Sequence, residues 1–177
     1  YLKNSISAFD RTIDLPDHRF AGTQWSSFSE IGYLRVNDKT DWIFGLNTWT
    51  DRFNERAQPG QRTLRDYDLP VFGAFIQNTW TMGEHFSLES GLRGDYQPDY
   101  GAFALPRLAL LWKISPSTTS RISGGLGYKL PTIFLQESEE VAFRNVLPIN
   151  NENTEAERSA GLNWDINYRG HLGEELT

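Results

Sequence analysis

The side chains able to do chemistry are few and loosely grouped. The three histidines, His18, His85 and His171, fall in stretches that read as links or turns. No Gly-x-Ser-x-Gly elbow, phosphate-cradling glycine loop or second imidazole at ligand spacing accompanies them. No catalytic residue follows, and the chain is not read as an enzyme. Glu137, Glu139, Glu140, Glu152, Glu155 and Glu157 crowd one stretch against Arg144 alone. Hard cations bind several carboxylate oxygens at once, but a solvated acidic loop accounts for the same run. Asp10, Asp14, Asp17 and His18 fit no coordination loop and read as turn formers. Neither metal nor cofactor is expected. The candidate ligand-binding set is Arg56, Arg62, Arg65 and Tyr67 in one link with Arg144 in another, because guanidinium forks grip anionic oxygens. Glu55, Asp66 and Asp68 offset much of that charge.

Links of this kind need elements to hold them, and the elements are strands. Eight extended segments are legible, near 5–14, 23–36, 40–53, 69–82, 86–98, 104–115, 120–130 and 156–168. Alternation is cleanest in the last four, where Phe86, Leu88, Leu92 and Tyr96 are followed by Leu108, Leu110, Trp112 and Ile114. Ile122, Leu126, Tyr128 and Leu130 come next, then Ala160, Leu162, Trp164, Ile166 and Tyr168. Side chains on a strand point alternately to two faces, so each set shares one face. Pro131 closes the seventh strand because it cannot donate to a ladder. A short helical candidate lies near Phe134 to Ala142.

Tight turns are expected at 37–39, 82–85, 115–119 and 169–173, from their Gly, Pro, Asn and Asp content. Longer links are expected at 15–22, 54–68, 99–103 and 131–155. Short and long alternate, which puts every tight turn at one end of an up-and-down meander. Transmembrane barrels are laid out this way, with girdles of aromatic rings at both interfaces. Trp42, Trp80, Phe86, Trp112 and Tyr168 lie near short turns, while Trp25, Tyr96 and Tyr128 lie toward the long-link ends. From Phe86 to Tyr96 the rise is on the order of 23 Å along the membrane normal, at ~3.3 Å per residue and ~45° tilt, against an apolar band of ~25 Å. Leu108, Leu110, Trp112, Ile114, Leu126, Tyr128, Leu162, Trp164 and Ile166 are expected on the outward, lipid-covered face.

Composition agrees. With 38% hydrophobic and 14% aromatic residues over 177 positions, the chain is too rich in large apolar groups to stay disordered. The absence of cysteine excludes a disulfide framework and thiolate zinc sites. A net charge of −6 without a cluster of Lys and Arg argues against nucleic acid as a partner. No apolar run reaches the roughly 20 residues of a spanning helix, and Tyr1-Leu2-Lys3-Asn4 has no signal-peptide layout. Mean hydropathy is −0.52, compatible with a barrel in which half of the strand residues face a polar interior.

The stretch Gly127-Tyr128-Lys129-Leu130-Pro131-Thr132 resembles the Gly-aromatic-Arg-x-Pro-Thr segment of TonB-dependent outer-membrane receptors. Asn151 to Ser159 is similar to their Asn-x-x-Leu-x-Pro-Glu-x-Ser segment, with Glu157 and Ser159 matching. Phe75 to Trp80 and Phe86 to Tyr96 resemble their recurrent hairpin, and Pro106-Arg107-Leu108 opens the next strand in the same way. Lys129 stands in place of Arg, and Thr154 and Ala156 in place of Leu and Pro. The resemblance covers about 69–168 and implies an all-β fold: an antiparallel meander of eight strands from a transmembrane barrel of roughly 22. It further implies that residues 1–177 form a single-domain piece of that barrel without its plug. The function implied is active transport of a scarce nutrient, a ferric siderophore or similar, across the outer membrane of a Gram-negative bacterium. The partners implied are TonB, reached through parts outside this stretch, the transported nutrient and outer-membrane lipid. Alone, such a piece is expected to self-associate. The competing expectation is a self-contained eight-stranded barrel, structural or ligand-binding, in which the first and last strands pair.

Overall fold

The computed structural model describes residues 1–60 and 64–170. Eight strands follow one another as β1 (Leu2–Leu15), β2 (His18–Val36), β3 (Thr40–Glu55), β4 (Tyr67–Met82), β5 (Phe86–Gln97), β6 (Gly101–Ser115), β7 (Thr118–Lys129) and β8 (Glu157–Tyr168). A short helix, α1 (Gln136–Glu140), interrupts the last link. The strands form one antiparallel sheet in chain order, β1 to β8. Among the described residues β1 and β8 are the two edges and do not pair, which removes the observation a self-contained barrel requires. The strands run from 12 to 19 residues. Spanning a bilayer takes about 9–11 tilted residues, so each strand can cross a membrane and project beyond it.

The register sorts side chains onto two faces. Leu88 lies opposite Leu110, which lies opposite Ile122, which lies opposite Trp164. These residues, with Phe72, Tyr96, Leu108, Trp112, Leu162 and Ile166, form an outward face that is apolar and largely exposed. The aromatic ring at the tight-turn end is present, with Trp42 stacked on Phe44 and Phe86 on Trp112 at 5.9 Å between centroids in each pair. Trp25 and Tyr96, both about half exposed, stand toward the other end. Near the tight turns the inward face is mixed, with Asp41, Gln77, Glu89 and Arg121 beside Leu34, Ile43 and Leu111. Toward the opposite end it carries the buried core: Phe20, Phe53, Leu69, Val71 and Phe103 from the strands, with Leu130, Ile133 and Phe143 from the end of β7 and the link beyond it.

Two expected long links prove short. The stretch 15–22 is a turn of two residues, Pro16 and Asp17, because β2 already begins at His18. The link at 99–103 contracts to Pro98, Asp99 and Tyr100, closed by the Gln97 side-chain oxygen, which accepts from the amides of Asp99 and Tyr100 at 2.6 and 2.7 Å. The genuinely long links are 56–66 and 130–156, at the same end of the sheet.

Candidate functional site

The site is the inward mouth at the long-link end, where 131–155 lies against the sheet as a strap instead of projecting as a free loop. Its five glutamates do stay exposed. Part of its apolar set turns inward, with Ile133 2% exposed and Phe143 fully buried, while Leu135, Val141 and Leu147 stay exposed. Phe143 stacks on Phe20 at 4.2 Å and 16°, and Phe134 meets Phe53 edge-on at 5.0 Å. Such pairs add about 0.5–1.5 kcal/mol each beyond area burial. Gly22 makes room for this cluster, since a Cβ there would sit 2.2 Å from the Phe53 ring. The backbone takes left-handed φ values at Ala142, Phe143 and Asn145 (50°, 59° and 56°) to aim Phe143 into the cluster. Outside glycine and asparagine this conformation costs about 1–2 kcal/mol per residue.

Polar ties fix the strap at its edges. The Arg65 guanidinium is buried, forms an ion pair with the Glu55 carboxylate and donates to the Phe143 carbonyl. It also lies over the Phe20 ring at 4.9 Å. Arg11 reaches Glu139 at 2.8 Å and covers the Phe134 ring at 4.6 Å. Arg144 is paired with Asp17, and His18 Nε2–H donates to the Ala142 carbonyl at 2.8 Å. Tyr100 donates to Asn151 Oδ1 at 3.1 Å. Partial burial and the Asp99 charge beside it raise the Tyr100 hydroxyl above its ordinary pKa.

Deeper in the same face, Arg93 donates to Asp95 at 2.7 Å and to Asn47 at 3.2 Å, and the Tyr128 hydroxyl donates to Asp95 at 2.9 Å. These groups border a cleft of about 460 Å³ walled by Trp49, Leu69, Leu105 and Leu130, with Lys129 and Thr132 at its rim. Tyr128 therefore does not share the outward row with Leu126. Its ring stacks on inward Phe103 at 3.9 Å and 3°. The β6–β7 ladder stops at Arg107 opposite Gly125. The next pair would place Leu126 against Pro106, which has no N–H to extend it. Past that point β7 is held by β8 alone and turns toward the core.

The residues expected to bind ligand divide accordingly. Arg65, Tyr67 and Arg144 gather around the strap, with Tyr67 packed beside Phe53 and Phe134 and donating to Asp51 at 3.3 Å. Arg56 stands apart on the outward side, paired with Asp10 beside Thr23. Arg62 lies outside the described residues, as does His171. The motif positions of the two matched segments meet across one ladder, Gly127 opposite Ser159 and Lys129 opposite Glu157. A Cβ at Gly127 would come within 2.9 Å of Ser159 Oγ, so glycine lets the two segments close up. Pro131 and Thr132 begin the strap. Among the described residues no three carboxylates or imidazoles converge as a metal site, and no helix is long and apolar enough to cross a membrane. The strap itself was missed from sequence. Its signal was Phe134 and Phe143 standing as large rings within an acidic link.

Comparison with known proteins agrees with this architecture. No curated protein sequence matches the chain significantly. Among solved structures, the siderophore receptor PirA from Pseudomonas aeruginosa superposes with a TM-score of 0.63 at 14% identity, covering 96% of this chain and 36% of that one. The copper transporter OprC gives 0.62 at 16%, covering 96% and 32%. A mutant of the ferric enterobactin receptor PfeA from Pseudomonas aeruginosa gives 0.55 at 14%, covering 74% and 23%. The chain thus spans about a third of the first of these structures, and at such identities the likeness shows the fold. The family profile described as "TonB dependent receptor-like, beta-barrel" matches residues 3–171. The chain belongs to that family.

Proposed function

We propose that these strands form part of the wall of an outer-membrane receptor that imports a scarce nutrient, a ferric siderophore or a similar chelate, with energy supplied through TonB. The observation that carries this reading is the two-faced sheet: an apolar outward face between aromatic girdles, and an inward face whose mouth is lined with rings and cations. The family match over 3–171 supports it. Lipid covers the outward face, and the membrane is the outer membrane of a Gram-negative bacterium. Of the candidate ligand contacts, Arg144 stands exposed at the mouth, where an incoming anionic chelate would meet it, and Arg65 and Tyr67 lie beneath the strap. Arg56, paired with Asp10 on the outward side, does not face that mouth. The chain carries transport and no catalysis. The test is uptake by cells with and without the full-length gene, across radiolabelled ferric chelates, cobalamin, copper and glycans. Loss of one class on deletion is expected. Unchanged uptake of every class, with no binding by the purified receptor, would overturn the reading.

A further inference from the structure

We propose that the outward patch centred on Ser29 is where two copies of the receptor join side by side in the bilayer, about a two-fold axis and in place of lipid. The inference rests on the sheet lying in a membrane and is independent of what is transported. On β4 to β8 the outward positions hold large apolar groups such as Phe72, Leu88, Leu110, Ile122 and Trp164. The register carries the row that starts at Phe72 onto β3, β2 and β1 at Thr48, Ser29 and Asn4. Ser29 is midway between the girdles, four residues from Trp25 at one and four from Tyr33 at the other. None of these three polar side chains forms a hydrogen bond among the described residues. Outward Asn78 and Ser120, by contrast, donate to the backbone carbonyls of Asp41 and Asp165. A polar group that meets only hydrocarbon forfeits its hydrogen bonds, so an amide and two hydroxyls aligned at mid-depth call for a polar cover. Hydroxyl and amide side chains bind spanning elements to one another in lipid.

The groove above this row identifies the cover. It has a volume of about 580 Å³ and is walled by Ile6, Trp25, Ser27, Thr50 and Pro70, with the exposed Arg52–Asp68 ion pair at its rim. The Trp25 ring beside it is about half exposed. This surface is complementary to itself. Its hydroxyls and amide both donate and accept, one cation stands beside one anion, and an exposed ring stands beside a slot able to take one. A two-fold axis near Ser29 lets Arg52 of one copy reach Asp68 of the other and repeats every contact, which is how identical surfaces join.

The test uses the full-length receptor in phosphatidylcholine vesicles. Ser29→Cys, as the sole cysteine, is expected to give covalent dimers on oxidation, with a yield that holds as lipid dilutes the protein. Leu110→Cys, on the same face but on β6, is expected to give none. Asn4→Leu lowers the dimerisation constant roughly tenfold, because a two-fold contact loses two hydrogen bonds at once. Copies carrying Arg52→Asp pair with copies carrying Asp68→Arg in preference to their own kind, read by energy transfer between separate dyes. Cross-linking at Ser29→Cys no greater than at Leu110→Cys, or random mixing of the two charge variants, would overturn the interface. So would a cross-link that forms only after an anionic glycolipid is added, which assigns the groove to a headgroup. An Asn4→Leu receptor that is more stable in micelles yet dimerises as before would also overturn it, leaving the patch to lipid.

Discussion

Along β6, Leu108 points outward and is 55% exposed, while Ala109, one residue on, points inward and is 7% exposed. The same contrast runs across the sheet. The outward face displays its largest apolar side chains, and the inward face buries Phe20 and Phe53 together with the Arg65–Glu55 ion pair. Each face is complementary to a different surrounding: lipid outside, a chamber and its strap inside. An exposed leucine on one face and a buried arginine on the other are thus satisfied by the same design. Burial alone would misread both.

The largest departure should come from removing the lipid. Residues 1–177 in detergent-free buffer leave the outward face in water, where each large apolar side chain forgoes about 1.5–3 kcal/mol, and both edge strands stay unpaired. Light scattering should find oligomers, and a monodisperse monomer would break the assignment of that face. Within the intact receptor, Glu55→Ala strands a buried guanidinium at a cost of about 3–5 kcal/mol, read from denaturant unfolding in micelles. Asp68→Ala, which breaks the exposed pair with Arg52, should leave stability near that of the parent. Leu162→Arg on the outward face should cost about 2–4 kcal/mol near the bilayer midplane, and Asn163→Arg, one residue along and facing inward, far less. The smallest effect concerns pH. The folded-state pKa of Tyr100 is raised, so its contribution is complete below the ordinary value of about 10 and is lost as pH climbs past its raised value. Strap mobility, read by a nitroxide at Leu147→Cys, should therefore stay flat through neutral pH and rise only in strong alkali, and Tyr100→Phe should abolish that rise.

The strands were legible because lipid enforces alternation: the fifth was expected at 86–98 and runs Phe86–Gln97. Where strands project past the membrane, the outward face sees polar surroundings, the inward face is covered only by the link packed on it, and the alternation fades. His18-Arg19-Phe20-Ala21-Gly22 therefore read as link although β2 already includes it. The inward turn of Tyr128 was hidden because it depends on Pro106 in a neighbouring strand, a relation no single-strand pattern carries. Of the candidate site, the types of Arg65, Tyr67 and Arg144 were legible, and their gathering around a strap was not. That gathering depends on left-handed φ at Ala142 and Phe143, for which neither residue type gives a signal.

The central claim is that lipid and chamber alternate along each strand until β7 leaves β6. The most direct measurement is a nitroxide scan through β6 and β7 of the full-length receptor in bilayers, comparing collision with oxygen and with a water-soluble nickel complex. Labels at Leu108, Leu110, Trp112, Ile122 and Leu126 should favour oxygen, and labels at Arg107, Ala109 and Leu111 should not. A label at Tyr128 should break the phase and report the chamber. Absence of a two-residue period in β6, or a Tyr128 label as oxygen-accessible as that at Leu126, would contradict the account.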